Sequence, residues 1–362
     1  MKIRELALIT LYGNGNYGNK LQNYAVEQIL QNYGFNVFTL DCRQKDFVRY
    51  AKNVIHVLTG YHFSQNPAFR KSEIRKEILL KCFSKKHLHA VRMTNLNKIK
   101  RQFDFFCIGS DQVWNPAWMD DRTKHLMLMD FVDKSKKMTL SASFGVEELD
   151  SVWKVFFAKR LGDFEEISVR EEAGAKMVND LCHVKADVHI DPTLMLGAEK
   201  WAELAEKPAG YSREYIENSI VIYFLGNIDE DTKIRIQKTA RKNELNIIAL
   251  DRNDIEGGFV PSLEEWIYCI GHARLVMTDS FHGSVFSFLF DRNLLVFRRK
   301  DQNASMFSRI QTLLKKFEME DRLETVCPQN KLLEHDYAIG YAILDKERAK
   351  LRDYVERNIQ KA

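Results

Sequence analysis

The chain has 362 residues, 45% hydrophobic and 29% charged, with only 6 Pro and 17 Gly, which excludes a disordered or fibrous protein and supplies core for two domains. Its 54 basic and 50 acidic residues leave a formal net charge of +4, too slight and too evenly spread for a nucleic-acid footprint, though it suits an anionic small molecule or an anionic membrane surface. The six cysteines stand singly with no CxxC pair, so neither a zinc site nor a disulfide framework is expected, and a reducing cytoplasm suits them.

The start Met1-Lys2-Ile3-Arg4-Glu5 contains an acidic residue and lacks a small-residue cleavage site, so it does not read as a signal peptide. No later run approaches the roughly 18 apolar residues needed to span a bilayer. A cytoplasmic protein is the expectation. The apolar run 6–11, the glycine-rich stretch 13–19, a helical pattern over 20–33 closed by Gly34 and the strand-like run 35–40 form a βαβ unit. Segment 44–101 is rich in Lys and Arg and reads as helices and loops, with helical spacing over 71–80. Strands follow at 103–108, 138–142 and 167–169, with helices over 147–163 and 171–181. Asp191-Pro192-Thr193, after the run 188–190, ends this half, and Pro208-Ala209-Gly210 marks a change of domain.

A second α/β series occupies the rest: strands 219–225, 246–250, 273–277 and 294–297, alternating with helices 229–243, 262–271 and 284–290. The charged helical stretch 341–362 is expected to pack back on the body. The predicted fold is therefore α/β with two Rossmann-like domains facing a cleft. One domain covers 1–195, with 341–362 as a candidate addition, and the other covers 196–340.

Four motifs carry chemistry. Thr278-Asp279-Ser280-Phe281-His282-Gly283-Ser284 ends a buried strand and opens a helix, which gathers an imidazole, two hydroxyls and free backbone N–H groups where an anion would be held. Gly13-x-Gly15-x-x-Gly18 has the bare spacing of a dinucleotide loop, a weak signal alone: Asp41 stands at a distance that serves either a ribose or a strand end, and the alternative is a tight strand-to-helix turn. Asn16, Asn19, Lys20, Gln22 and Asn23 make this helix start dense in amides and charge, and that favours a ligand. Asp111, Gln112 and Trp114 follow a buried strand: Asp111 is either a helix cap or a site carboxylate, and Trp114 either packs under the loop or offers a flat face to a sugar. Arg170, at the end of 167–169, either grips a carboxylate or phosphate with two hydrogen bonds or pairs with an acid such as Glu171. His189 and His272 read as structural.

The runs Gly15-Asn16-Tyr17-Gly18-Asn19-Lys20-Leu21-Gln22-Asn23-Tyr24-Ala25, Gly109-Ser110-Asp111-Gln112-Val113-Trp114-Asn115, Ser141-Ala142-Ser143-Phe144-Gly145, Ser168-Val169-Arg170-Glu171 and Thr278-Asp279-Ser280-Phe281-His282-Gly283 occur in this order over nearly the whole chain. Together they resemble the polysaccharide pyruvyl transferase family, with segment 44–101 contributing little. The resemblance implies a GT-B-like pair of Rossmann-like domains. It also implies transfer of pyruvate from phosphoenolpyruvate to two hydroxyls of a sugar, as a ketal, in a surface polysaccharide or its precursor. Donor and sugar (or lipid-linked oligosaccharide) are the expected partners, and neither a cofactor nor a metal is expected.

By the same resemblance, His282 and Arg170 belong to the donor site; the helix-start setting of His282 adds Ser280, Gly283 and Ser284 around the donor. Asn16, Gly18, Asn19, Lys20, Asp111 and Trp114 are the expected acceptor or phosphate contacts. His282 would move protons or hold the donor phosphate, Arg170 would clamp the donor carboxylate, and Asp111 would take a proton from a sugar hydroxyl. Phe281 departs from the family pattern, since many relatives carry Arg or another polar residue there, and Lys20, Arg298 or Arg299 are the cations available to compensate. Two other functions fit the same fold: a nucleotide-sugar glycosyltransferase, and a non-catalytic carbohydrate-binding protein of envelope assembly. Lipid-linked acceptors would bring the basic helices of 44–101 to the inner face of a membrane.

Overall fold

The computed structural model describes residues 4–13, 16–42, 67–121, 123–252, 255, 257–299 and 305–360. Among them, the first half of the chain builds a sheet from β1 (Arg4–Ile9), β2 (Phe35–Asp41), β3 (Ala90–Arg92), β4 (Phe105–Asp111), β5 (Lys137–Ala142), β6 (Ile167–Val169) and β7 (Ala186–Val188). Their order is β3-β2-β1-β4-β5-β6-β7 and every pairing is parallel. The second half builds a parallel sheet from β8 (Ser219–Tyr223), β9 (Asn246–Leu250), β10 (Gly258–Phe259), β11 (Leu275–Thr278) and β12 (Asn293–Val296), in the order β10-β9-β8-β11-β12. Central strands such as β4, β5, β8 and β11 are buried along their whole length, as parallel strands with both faces covered must be, and β4, β8 and β11 read as largely apolar runs.

Several boundaries moved, each for a local reason. Helix α1 (Tyr17–Asn32) begins before Lys20 because Asn16 caps it, accepting the Gly18 N–H at 2.8 Å. The helical run at 71–80 extends over Pro67–His87, while 44–66 lies outside the described residues. Edge strands β3 and β10 escaped prediction because two or three residues carry no period. β4 runs on through Asp111, and the helix after β11 starts at Phe281 rather than at 284.

The two sheets share one core. An apolar cluster runs from Leu6 and Tyr24 through Trp201 to Trp266, Phe286 and Tyr354. Trp201 lies between the halves, its ring 5.6 Å from Tyr24 and 4.8 Å from Phe286, and its indole N–H donates to the Thr193 carbonyl at 3.1 Å. The helix Ala338–Gln360 packs back on the body and ties both halves. Arg348 and Lys350 donate to the carbonyls of Leu194 and Val188, Tyr354 meets the Thr139 hydroxyl at 3.2 Å, and Tyr341 donates to the Phe288 carbonyl. His189 belongs to this packing: Ser168 lies 2.9 Å from its Nδ1, and burial pushes its pKa down to about 4.

In each sheet the strand order reverses once, between β1 and β4 and between β8 and β11. Ligands of open parallel sheets lie outside the strand carboxyl ends at such reversals. Here both reversals open onto one cavity.

Candidate functional site

The cavity holds about 1040 Å³. Thr10 and Leu11 after β1, and Asp111 and Gln112 at the end of β4, line it from the first half. Leu225 after β8, Ser280 to His282 after β11, and Arg298 and Arg299 after β12 line it from the second, with Arg309 of the helix Ser305–Lys316.

The turn after β11 is built by its own side chains. Ser280 caps the helix Phe281–Leu289 by accepting from the Gly283 N–H at 3.3 Å, and the Thr278 hydroxyl accepts from the Ser280 N–H at 3.0 Å. Ser284 is fully buried and donates back to the Ser280 carbonyl. A Cβ on Gly283 would stand 2.5 Å from the Thr278 hydroxyl, so this glycine permits close packing of the turn. Gly283 and Ser284 thus scaffold the turn, and of the expected donor contacts here only Ser280 and His282 line the cavity. Asp279 accepts from the N–H groups of Leu225 and Gly226 at 2.7 and 2.9 Å and from Arg299 Nε at 3.2 Å, tying the ends of β8, β11 and β12.

His282 crosses the cleft. Its Nδ1 lies against Gly18 of α1, so close that a Cβ built there would come within 2.2 Å. Its Nε2 is buried without a hydrogen bond and faces Asp191 Oδ2 at 3.9 Å. Burial lowers the imidazole pKa, against the pull of the Asp191 and Asp111 carboxylates, and Arg170 and Arg309 lower it further. Gly18→Ala is expected to force the ring or the helix aside, destabilising the protein by about 1–3 kcal/mol as overpacking does, and to reduce turnover. Urea unfolding midpoints alongside initial rates check this, and a variant with both unchanged would mean the ring has room to turn.

Beneath the cavity Arg170 is almost wholly buried. It donates to Asp191 Oδ2 at 2.7 Å and to Asp111 Oδ1 at 3.4 Å, and its guanidinium lies 5.1 Å from the Phe281 ring centre. It makes no pair with Glu171, whose Oε1 instead accepts from the Ser143 hydroxyl and the Phe144 N–H. Asp111 closes β4 in the left-handed region at φ 77, and its Oδ1 also accepts the Gln112 N–H at 2.8 Å.

The glycine-rich stretch is divided, with Asn14 and Gly15 outside the described residues. Asn16 and Asn19 line the cavity, the latter donating to the Leu11 carbonyl. Lys20 is buried with its ammonium 4.0 Å from the Tyr12 ring centre, and Tyr12 is the one of the two that lines the cavity. Gln22 and Asn23 are spent inside, on Thr10 and Thr39. Trp114 corrects the expectation of a sugar platform: it is fully buried among Phe144, Phe157 and Phe164, and its N–H donates to the Met127 carbonyl. Trp118, 57% exposed and bonded to Gln112 at 3.0 Å, is the indole at the cavity.

Two residues of the cluster were missed. Asp191 read as a domain end, although a carboxylate fixed by a following Thr is a recurring turn. Arg309 is the basic residue beside the buried stripe Phe307, Ile310, Leu313 and Leu314, and such a placement was its only signal. Burial, with the repulsion of Arg170, pushes its pKa down to about 10.

The model of the polysaccharide pyruvyl transferase family matches residues 16–301, most of the chain. The chain belongs to this family. No curated protein matches it. Among solved structures it is similar to the N-terminal domain of Candida albicans trehalose-6-phosphate phosphatase, with a TM-score of 0.50 at 11% identity over 100% of this chain and 97% of that one. It is also similar to Anabaena Alr3699/HepE, solved in complex with UDP, with a TM-score of 0.48 at 8% identity over 99% and 100%. At such identities the likeness concerns the fold alone, and the two parallel sheets form the pair of Rossmann-like domains, GT-B-like, expected from the sequence. Among the described residues no helix is long and apolar enough to cross a membrane.

Proposed function

We propose that this family member transfers pyruvate from phosphoenolpyruvate to two hydroxyls of a sugar, forming a ketal in a surface polysaccharide or its precursor. The observation that carries the reading is the joining of His282 to Asp191, Asp111 and Arg170 across a cleft whose wall also carries Arg298, Arg299 and Arg309. The donor is small and strongly anionic, and an arginine-lined wall suits its carboxylate and phosphate. The rest of the cavity has room for a sugar, with the exposed Trp118 indole as a flat apolar face.

Chemically, the donor methylene gains a proton and becomes a methyl group while one sugar hydroxyl attacks the adjacent carbon. The bond from that carbon to the phosphate oxygen breaks, inorganic phosphate leaves, and the second hydroxyl closes the ring as its proton is lost. Positive charge builds on the central carbon as phosphate departs. The groups that help are an acid-base imidazole, a carboxylate near the attacking hydroxyl, and cations on the leaving group, which are the parts offered by His282, Asp111 and the three arginines. Arg170 lies beneath the cavity as the counter-charge of two carboxylates, whereas Arg309 lines the cavity and is the better placed cation for the donor.

The test is thermal. Millimolar phosphoenolpyruvate should raise the melting temperature and UDP should not, since only a ligand of the folded state stabilises it. Phosphate release with a panel of sugars, and the mass gain of a pyruvate ketal on one of them, would complete the case. Stabilisation by UDP without response to phosphoenolpyruvate would transfer the assignment to a glycosyltransferase, and response to sugars alone would make the protein a binder.

A further inference from the structure

We propose that Asp191 is the positioning residue of His282: from the opposite side of the cleft it holds the proton on Nε2 and leaves Nδ1 as the bare nitrogen of the neutral ring. The role rests on the reading of His282 as the acid-base group, whereas the geometry behind it is independent of any substrate.

Asp191 follows β7 and its side chain is fully buried. Both of its oxygens are fixed. Oδ1 accepts from the Thr193 N–H at 3.0 Å and the Thr193 hydroxyl at 2.7 Å, while Oδ2 accepts from Arg170 at 2.7 Å and from the Ser110 hydroxyl at 3.5 Å. Although burial works against its charge, His282, Arg170 and Thr193 together hold its pKa below the ordinary value, so it is a carboxylate at neutral pH. The atom that faces it across the cleft is His282 Nε2, buried, without any hydrogen bond, and 3.9 Å from Oδ2.

A neutral imidazole has one N–H and one bare lone pair, and the partner of one nitrogen decides which is which. Turning a bare Nε2 lone pair toward a buried carboxylate sets two negative regions against each other, while an N–H turned that way is attracted. The proton therefore belongs on Nε2. Nδ1, the nitrogen packed beside Gly18 at the start of α1, is then the bare nitrogen, the one protonated when the ring becomes an imidazolium. The charged groups facing the ring are Asp191 and Asp111, which favour the imidazolium, and Arg170 and Arg309, which oppose it. Burial has the largest effect and disfavours the imidazolium, and Asp191 is the carboxylate that opposes it most.

The experiment is nitrogen NMR of the full-length protein labelled at histidine, with the His282 signals assigned by their loss in His282→Gln. In the wild type the neutral ring should carry its proton on Nε2. Asp191→Asn should lower the His282 titration midpoint by about one pH unit, since a carboxylate favouring the charged form is gone. It should also lower kcat at least tenfold with little change in KM for phosphoenolpyruvate. A proton on Nδ1 in the wild type overturns the proposal, and so does an Asp191→Asn midpoint equal to that of the wild type. The tautomer is read on unmodified protein, so the proposal stays testable if Asp191→Asn fails to fold. Absence of pyruvyl transfer would refute the functional reading and leave the tautomer result standing.

Discussion

His282→Ala should abolish pyruvyl transfer, with kcat/KM falling by about 10²–10⁴-fold, the usual contribution of a positioned acid-base group. The same substitution should move the melting temperature by only a few degrees. The imidazole makes no hydrogen bond through Nε2, and the helix Phe281–Leu289 keeps its cap through Ser280, so alanine removes ring packing and little else. Rates measured by phosphate release, beside thermal unfolding, distinguish the outcomes. Retained turnover would remove His282 from the chemistry. Lost turnover with a collapse in stability would make it a structural link between the halves.

Arg170→Ala should destabilise the protein by about 3–5 kcal/mol, the cost of leaving a buried carboxylate without its counter-charge. Two acids depend on this guanidinium, Asp191 with no exposure and Asp111 with little. The sign with pH follows from Asp191, whose carboxyl is held below the ordinary value in the folded protein. Stability from that group is present above the unfolded pKa near 3.8 and is lost as pH falls through the lower folded value. Without Arg170 the carboxyl takes up its proton more easily, so the penalty should shrink as pH falls from 7 toward 4. Urea midpoints of wild type and variant at both pH values check this. A penalty equal at pH 7 and pH 4 would show that Arg170 acts through packing rather than as a counter-charge. Turnover should fall as well, since His282 shares Asp191 with Arg170.

Much of the fold was legible because buried parallel strands leave a strong mark. The runs at β1, β4, β8 and β11 are apolar, short and bounded by glycine, Asp or Ser, and no amphipathic helix has that pattern. Strand ends followed by polar residues also told where a site would lie, and Asp111, Ser280 and His282 do meet at the cavity. The errors fell where identity and environment part company. Trp114 and Trp118 are four residues apart in one loop, and nothing in their order says that the first fills a pocket of phenylalanines while the second stays half in solvent. Lys20 and Gln22 looked like ligand groups because they are polar, yet their faces of α1 turn to Tyr12 and Thr10.

The sequence by itself determined the class of fold, the order of its two α/β series and the family, because these depend on local periodicity and on motifs contiguous in the chain. Tertiary structure alone decided the charges around the imidazole. Arg170 and Asp191 meet across the adjacent strand ends of β6 and β7, but His282 joins them only when two sheets close on a shared core, and Gly18 matters because a helix from one half meets a ring from the other. Coulomb attraction and close packing depend on distance in space, which the order of residues does not contain.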